Sequence, residues 1–148
     1  MRSSGLIFRS GVVPLSRVSG PIAADGKEKK RILIAEDDES IAAMLVKILG
    51  VRYEVHRAQD GKQALALADR VRPNLILLDV MMPGLDGYAT AQQIRSIPAL
   101  KNVSIIFLTA KGGAMDVVKG IQAGARFYVT KPFKMDDLLS KVKKALGE

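Results

Sequence analysis

The 148-residue chain contains no cysteine, which excludes disulfides and thiolate metal sites and is compatible with a reducing cytosol. No apolar run approaches the roughly 20 residues that a membrane-spanning helix needs, so no membrane partner is expected and a cytoplasmic location is. Histidine occurs once, as His56, on a stretch that reads as a strand far from the acidic positions discussed below; it reads as a surface residue. Positive charge is in excess, +8 overall. Residues 1–31 carry seven basic and two acidic side chains, and residues 32–148 carry sixteen and thirteen. The excess therefore sits mainly in the leader. The rest of the chain has no basic run backed by aromatics, so direct nucleic-acid binding is not expected.

The leader is punctuated by Gly5, Gly11, Pro14, Gly20, Pro21 and Gly26, a spacing in which neither a helix nor a strand runs far. Residues 1–29 are therefore expected to be a flexible basic extension. The first 24 residues hold Arg2, Arg9, Arg17 and five serines but no acid, a composition like that of an organellar transit peptide. The breakers oppose the amphipathic helix that such a signal needs, and a plain extension or a mis-assigned start remains the simpler reading.

From residue 30 to 148 one domain is expected, built from apolar runs of strand length alternating with stretches of helical period. The strands fall at Ile32–Ala35, Tyr53–Ala58, Leu75–Leu78, Val103–Leu108 and Phe127–Thr130. Each is followed by a helical stretch, giving an α/β fold with a doubly wound, five-stranded parallel sheet and a three-layer α/β/α arrangement. In such folds ligands bind beyond the carboxyl ends of the strands.

Five polar residues fall at those ends. Glu36 and Asp37 follow strand one, Asp79 closes strand three, Thr109 closes strand four and Lys131 closes strand five. Singly, each has a plain explanation: Asp38, for instance, reads as a helix cap. Asp79 is harder to dismiss, because a charge ending a strand buried on both faces needs a partner or a metal. Three carboxylates, a hydroxyl and an ammonium together suit a hard-cation site with an anion-binding arm. The matching chemistry is phosphoryl transfer to the Asp79 carboxylate, with Mg²⁺ or Mn²⁺ neutralising the oxygens.

The stretches Ile32-Leu-Ile-Ala-Glu-Asp-Asp-Glu39, Leu75-Ile-Leu-Leu-Asp-Val-Met-Met-Pro-Gly-Leu-Asp-Gly87, Phe107-Leu-Thr-Ala110 and Tyr128-Val-Thr-Lys-Pro-Phe133 closely resemble the response-regulator receiver family of two-component signalling, in particular its chemotaxis-regulator-like members. The resemblance implies a flavodoxin-like strand order 2-1-3-4-5 and phosphorylation of Asp79. It also implies metal ligation by Glu36, Asp37, Asp79 and the main-chain carbonyl of Met81, phosphoryl contacts from Thr109 and Lys131, and a cis Lys131–Pro132 bond. Thr109 and Tyr128 would form the switch. Because Glu36, Asp37 and Asp38 are consecutive, the acidic pair could slip to Asp37 and Asp38. The first frame is preferred because it sets Ile41 four positions after Asp37.

The implied phosphodonor is a histidine kinase or phosphotransfer protein, and the implied output is a downstream protein bound on the face of helix four, strand five and helix five, including Val117, Ile121, Tyr128 and Thr130. A single-domain regulator, monomeric or weakly dimeric and catalysing nothing beyond its own phosphorylation and dephosphorylation, is expected. Arg126 and Phe127 follow Gly124-Ala125 where many DNA-binding members have acids, which weakens any carry-over of their dimer. Two alternatives are a Mg²⁺-dependent phosphatase with an aspartyl nucleophile and a receiver that is never phosphorylated. The first wants an acid two residues after the nucleophile, where this chain has Met81; the second usually lacks the Asp, Thr or Lys.

Overall fold

The structure is a computed structural model that describes residues 6–8, 11–13, 28–110 and 114–148. Its main body runs β1 (Arg31–Ala35), α1 (Glu39–Leu49), β2 (Glu54–Ala58), α2 (Gly61–Val71), β3 (Leu75–Asp79), α3 (Gly87–Arg95), a 3-10 turn (Pro98–Leu100), β4 (Ser104–Thr109), α4 (Ala114–Gln122), β5 (Phe127–Thr130) and α5 (Met135–Ala145). The five strands form one parallel sheet in the order β2-β1-β3-β4-β5, the order 2-1-3-4-5 that the sequence led us to expect.

Side chains alternate across a strand, and here both faces are apolar. Leu33, Ala35, Ile76, Leu78, Ile105 and Phe107 meet Ala64 and Ala68 of α2, Ala91 and Ile94 of α3, and Ala123 just after α4. On the opposite face Ile32, Ile34, Leu75, Leu77, Ile106, Leu108 and Val129 meet Leu45 and Leu49 of α1 and Leu138 and Val142 of α5. The result is three layers with the sheet in the middle. All four apolar residues of β3 are fully buried, each contributing about 1.5–3 kcal/mol relative to exposure. That packing holds Asp79 at the end of the most protected strand.

Three helices start on an aspartate at the carboxyl edge of the sheet. Asp38 accepts from the Ile41 amide, Asp60 from the Gln63 amide and Asp86 from the Ala89 amide, each satisfying a first-turn N–H that has no partner within the helix. Asp38 is thus the cap of α1. Gly84 turns the loop after β3 at φ 75°, a conformation that favours glycine.

The sequence did not reveal the Pro98–Leu100 turn. Within the leader, the three-residue strands Leu6–Phe8 and Gly11–Val13 pair antiparallel; the rest of residues 1–27 lies outside the described residues. His56 is half-buried and pairs with the Glu54 carboxylate at 2.5 Å. Among the described residues, no helix is long and apolar enough to cross a membrane.

Gly87 opens α3 in direct contact with β3: a Cβ there would lie 2.5 Å from the Asp79 carbonyl oxygen and 2.8 Å from Val80 Cα. Both neighbours are backbone and cannot rotate away. Gly87→Ala should therefore lower stability by about 1–3 kcal/mol, read as a lower urea midpoint at unchanged m-value; an unchanged midpoint would show that the loop can shift freely.

Candidate functional site

The parallel topology places the ends of β1, β3, β4 and β5 side by side, and the polar residues at those ends converge. One carboxylate oxygen each from Glu36, Asp37 and Asp79 lies within 4.8 Å of the others. Glu36 is fully buried, Asp79 is nearly so, and Asp37 is exposed. Lys131 Nζ donates to Glu36 Oε1 at 2.7 Å and to Asp79 Oδ2 at 3.3 Å. The second Glu36 oxygen accepts the Asp38 amide at 3.1 Å, and Asp79 Oδ1 accepts the Met81 amide at 3.0 Å.

Thr109 is fully buried at the end of β4, and its carbonyl accepts the Lys131 amide at 2.7 Å. That bond ties the hydroxyl-bearing strand to the lysine. The Lys131–Pro132 peptide bond is cis. The Met81 backbone lies beside the Asp79 carboxylate, and the residue is 54% exposed. Tyr128 lies further along β5, half-buried against Phe107 with ring centroids 6.4 Å apart.

Two participants were not anticipated. Arg57, on the strand beside β1, donates to the main-chain carbonyl of Glu36 and to the Glu39 carboxylate. The available signal was a lone arginine near the carboxyl end of β2, next to the acidic run Glu36–Glu39. Tyr88 of α3 places its hydroxyl 3.2 Å from that of Tyr128 and its ring edge-on to Phe107. Nothing in the local sequence marks that contact, because three elements have to meet to form it. Lys111 and its two followers, and the Val117 side chain, lie outside the described residues.

Burial pushes the Glu36 carboxyl up to about 7; the hydrogen bond from Lys131 opposes this and neighbouring Asp79 adds to it. Burial alone would lower Lys131, but the hydrogen bond to Glu36 and the charges of Asp79 and Glu36 outweigh it and hold the ammonium above its ordinary value. Among the described residues, one ammonium touches two buried carboxylates beside a third, exposed one, and negative charge is left uncompensated by them. An all-oxygen donor set with surplus negative charge fits a hard dication such as Mg²⁺ or Mn²⁺.

Residues 32–143 match the family described as response regulator receiver domain. The DNA-binding response regulator MtrA of Mycolicibacterium smegmatis is 41% identical over 119 residues, covering 80% of this chain and 51% of that protein. The transcriptional regulatory protein YrkP of Bacillus subtilis is 45% identical over 113 residues, covering 76% of this chain and 47% of that protein. The chain thus spans about half the length of these curated relatives. Among solved structures, the chemotaxis protein CheY4 of Vibrio cholerae superposes with a TM-score of 0.76 at 30% identity, over 80% of this chain and 99% of that one. A response regulator from Chloroflexus aurantiacus gives 0.76 at 37% identity, over 81% and 99%.

The raised carboxyl makes the stability of the fold depend on pH. As pH rises from 4.5 to about 7, the unfolded chain releases the Glu36 proton while the folded chain keeps it. The unfolded state then binds fewer protons, so metal-free stability falls through this window. Tm measured without metal should drop as pH rises from about 5 to about 7.5, and Mg²⁺ should raise Tm more at about pH 8 than at about pH 5.5. Glu36→Gln should flatten the metal-free profile; a profile as steep as the parent's would assign the titration elsewhere.

Proposed function

Because the chain belongs to the response regulator receiver domain family, the signalling module of two-component systems, we propose that it accepts a phosphoryl group on Asp79 from a histidine kinase or phosphotransfer protein and signals by changing a protein-binding surface. The observation that carries this reading is the convergence of Glu36, Asp37 and Asp79 within 4.8 Å, beside an ammonium that already touches two of them.

In the proposed reaction an Asp79 carboxylate oxygen attacks the phosphorus of a phosphohistidine. A P–O bond forms, the P–N bond breaks, and the imidazole leaves with the electron pair. The Met81 amide on Asp79 Oδ1 holds the carboxylate in one rotamer, so less motion has to be frozen out at the moment of attack. Glu36, Asp37, Asp79 and the main-chain carbonyl of Met81 would hold Mg²⁺ or Mn²⁺, which neutralises the transferring oxygens. Lys131 is the arm for the product. Its ammonium lies 3.3 Å from Asp79 Oδ2, within a small shift of phosphoryl oxygens attached there, and a charge-assisted bond to them would replace the one to the bare carboxylate. The Thr109 hydroxyl, at the end of the neighbouring strand, would take another phosphoryl oxygen.

The output surface we propose is the face of α4, β5 and α5, for an unidentified downstream protein. It includes Ile121, 67% exposed, and Tyr128, with Lys119 and Lys141 as its basic residues, and suits an amphipathic partner carrying acidic groups. Tyr128 connects this face to the site.

Incubation with acetyl phosphate and Mg²⁺ should add one phosphoryl group by intact mass, and both EDTA and Asp79→Asn should abolish it. Full incorporation in Asp79→Asn would overturn the assignment. A second measurement addresses output: amide chemical shifts with beryllofluoride should change at residues 118–130 as well as in the loops around Asp79. Changes confined to those loops would refute the proposed route.

A further inference from the structure

Four consecutive acids, Glu36 to Glu39, follow β1, yet only Glu36 and Asp37 join Asp79 in the cluster. Their separation into different tasks has a visible cause. Asp38 is taken up as the cap of α1. Glu39 is drawn to Arg57 Nη1 at 3.0 Å. The same guanidinium donates from Nε at 3.1 Å and Nη2 at 2.8 Å to the Glu36 carbonyl, and Nη2 lies 3.5 Å from the Asp37 carbonyl.

Asp37 is the member of the cluster that most needs outside help. Glu36 and Asp79 are buried and each accepts from Lys131 and from a main-chain amide. Asp37 is exposed, and among the described residues its carboxylate has no hydrogen bond. Among the described residues, its position is therefore set by its backbone. The Glu36 carbonyl belongs to the peptide unit that enters Asp37, and two N–H bonds from one rigid planar fork fix that unit's orientation. The Glu39 ion pair contributes little by itself, since Glu39 is 75% exposed; its effect is to keep the fork from rotating.

We propose that Arg57 is a positioning residue for the divalent-metal site: by holding the Glu36 carbonyl it aims Asp37 into the cluster and keeps Glu39 out. The inference rests on the metal-dependent reading given above. It also predicts a sign opposite to that of simple electrostatics. A cation beside a dication site repels the dication, so an arginine acting only through its charge would, when removed, tighten metal binding. A positioning arginine weakens it when removed.

The experiment is Mn²⁺ binding to the full chain, followed by electron paramagnetic resonance of the free ion, for the parent, Arg57→Gln and Arg57→Lys. Arg57→Gln should weaken binding about tenfold, the loss typical of groups that orient metal ligands. Arg57→Lys keeps the charge and loses the fork, and should also weaken binding. A merely structural role would lower Tm while leaving Mn²⁺ affinity unchanged. Equal or tighter binding in Arg57→Gln overturns the inference while leaving the functional reading intact. If Arg57→Gln does not fold, Arg57→Lys decides, with parental affinity as the overturning result. A parent chain that binds no Mn²⁺ overturns the functional reading and this inference together.

Discussion

The ammonium of Lys131 lies between two carboxylates that burial would otherwise force apart or protonate. It reaches Glu36 at 2.7 Å and Asp79 at 3.3 Å, and the rest of the site is organised around that contact. Glu36 shows how incomplete the compensation is, since its carboxyl stays near 7 despite a direct ion pair. A buried pair of this kind is weak evidence for stability, because desolvation can outweigh the attraction. Among the described residues the arrangement is short of neutrality, which is what the proposed dication would correct.

The scaffold makes that strain tolerable. Both faces of the sheet are sealed by helices, and the central strand β3 is buried along its whole length, so Asp79 cannot swing into solvent without disturbing a packed core. The close approach of Gly87 to the Asp79 carbonyl and the three aspartate caps at the same edge fix the loops that surround the acidic cluster.

Much of this was legible because parallel-sheet geometry turns sequence order into position. Apolar runs such as Leu75–Leu78 identified the strands, and residues directly after strands fall at one edge whatever their side chains do. The frame of the acidic run could be argued from Ile41; in the structure Asp38 caps α1 while Glu36 and Asp37 lie with Asp79. What was not legible depends on side-chain direction between distant segments. Arg57 reads as an ordinary strand residue until β2 is laid beside β1 and its side chain extends over the loop. His56 reads as surface until Glu54, two residues away on the same face of the strand, is seen to hold it. Apolar pattern carries no information on either contact. The paired segments Leu6–Phe8 and Gly11–Val13 were missed for another reason: glycine and proline counts limit how far a strand runs, not whether three residues can pair.

The contact between Tyr88 and Tyr128 bears on how a charge change at Asp79 could be felt at the proposed output face. The Tyr128 ring fits against α4 only because residue 120 is glycine; a Cβ there would lie 2.8 Å from the ring. Phe107, one strand inward, touches both tyrosine rings, and the two hydroxyls lie 3.2 Å apart. Any movement of Tyr128 therefore changes the surroundings of α3, α4 and β4 together. Phe107 is fully buried and close-packed, so it cannot absorb that movement gradually. A packed group of this kind favours discrete arrangements over continuous deformation. Thr109 lies two residues beyond Phe107 on the same strand and hence on the same face of the sheet, so a pull on its hydroxyl at the proposed phosphoryl site would act on the strand that carries the ring between the two tyrosines.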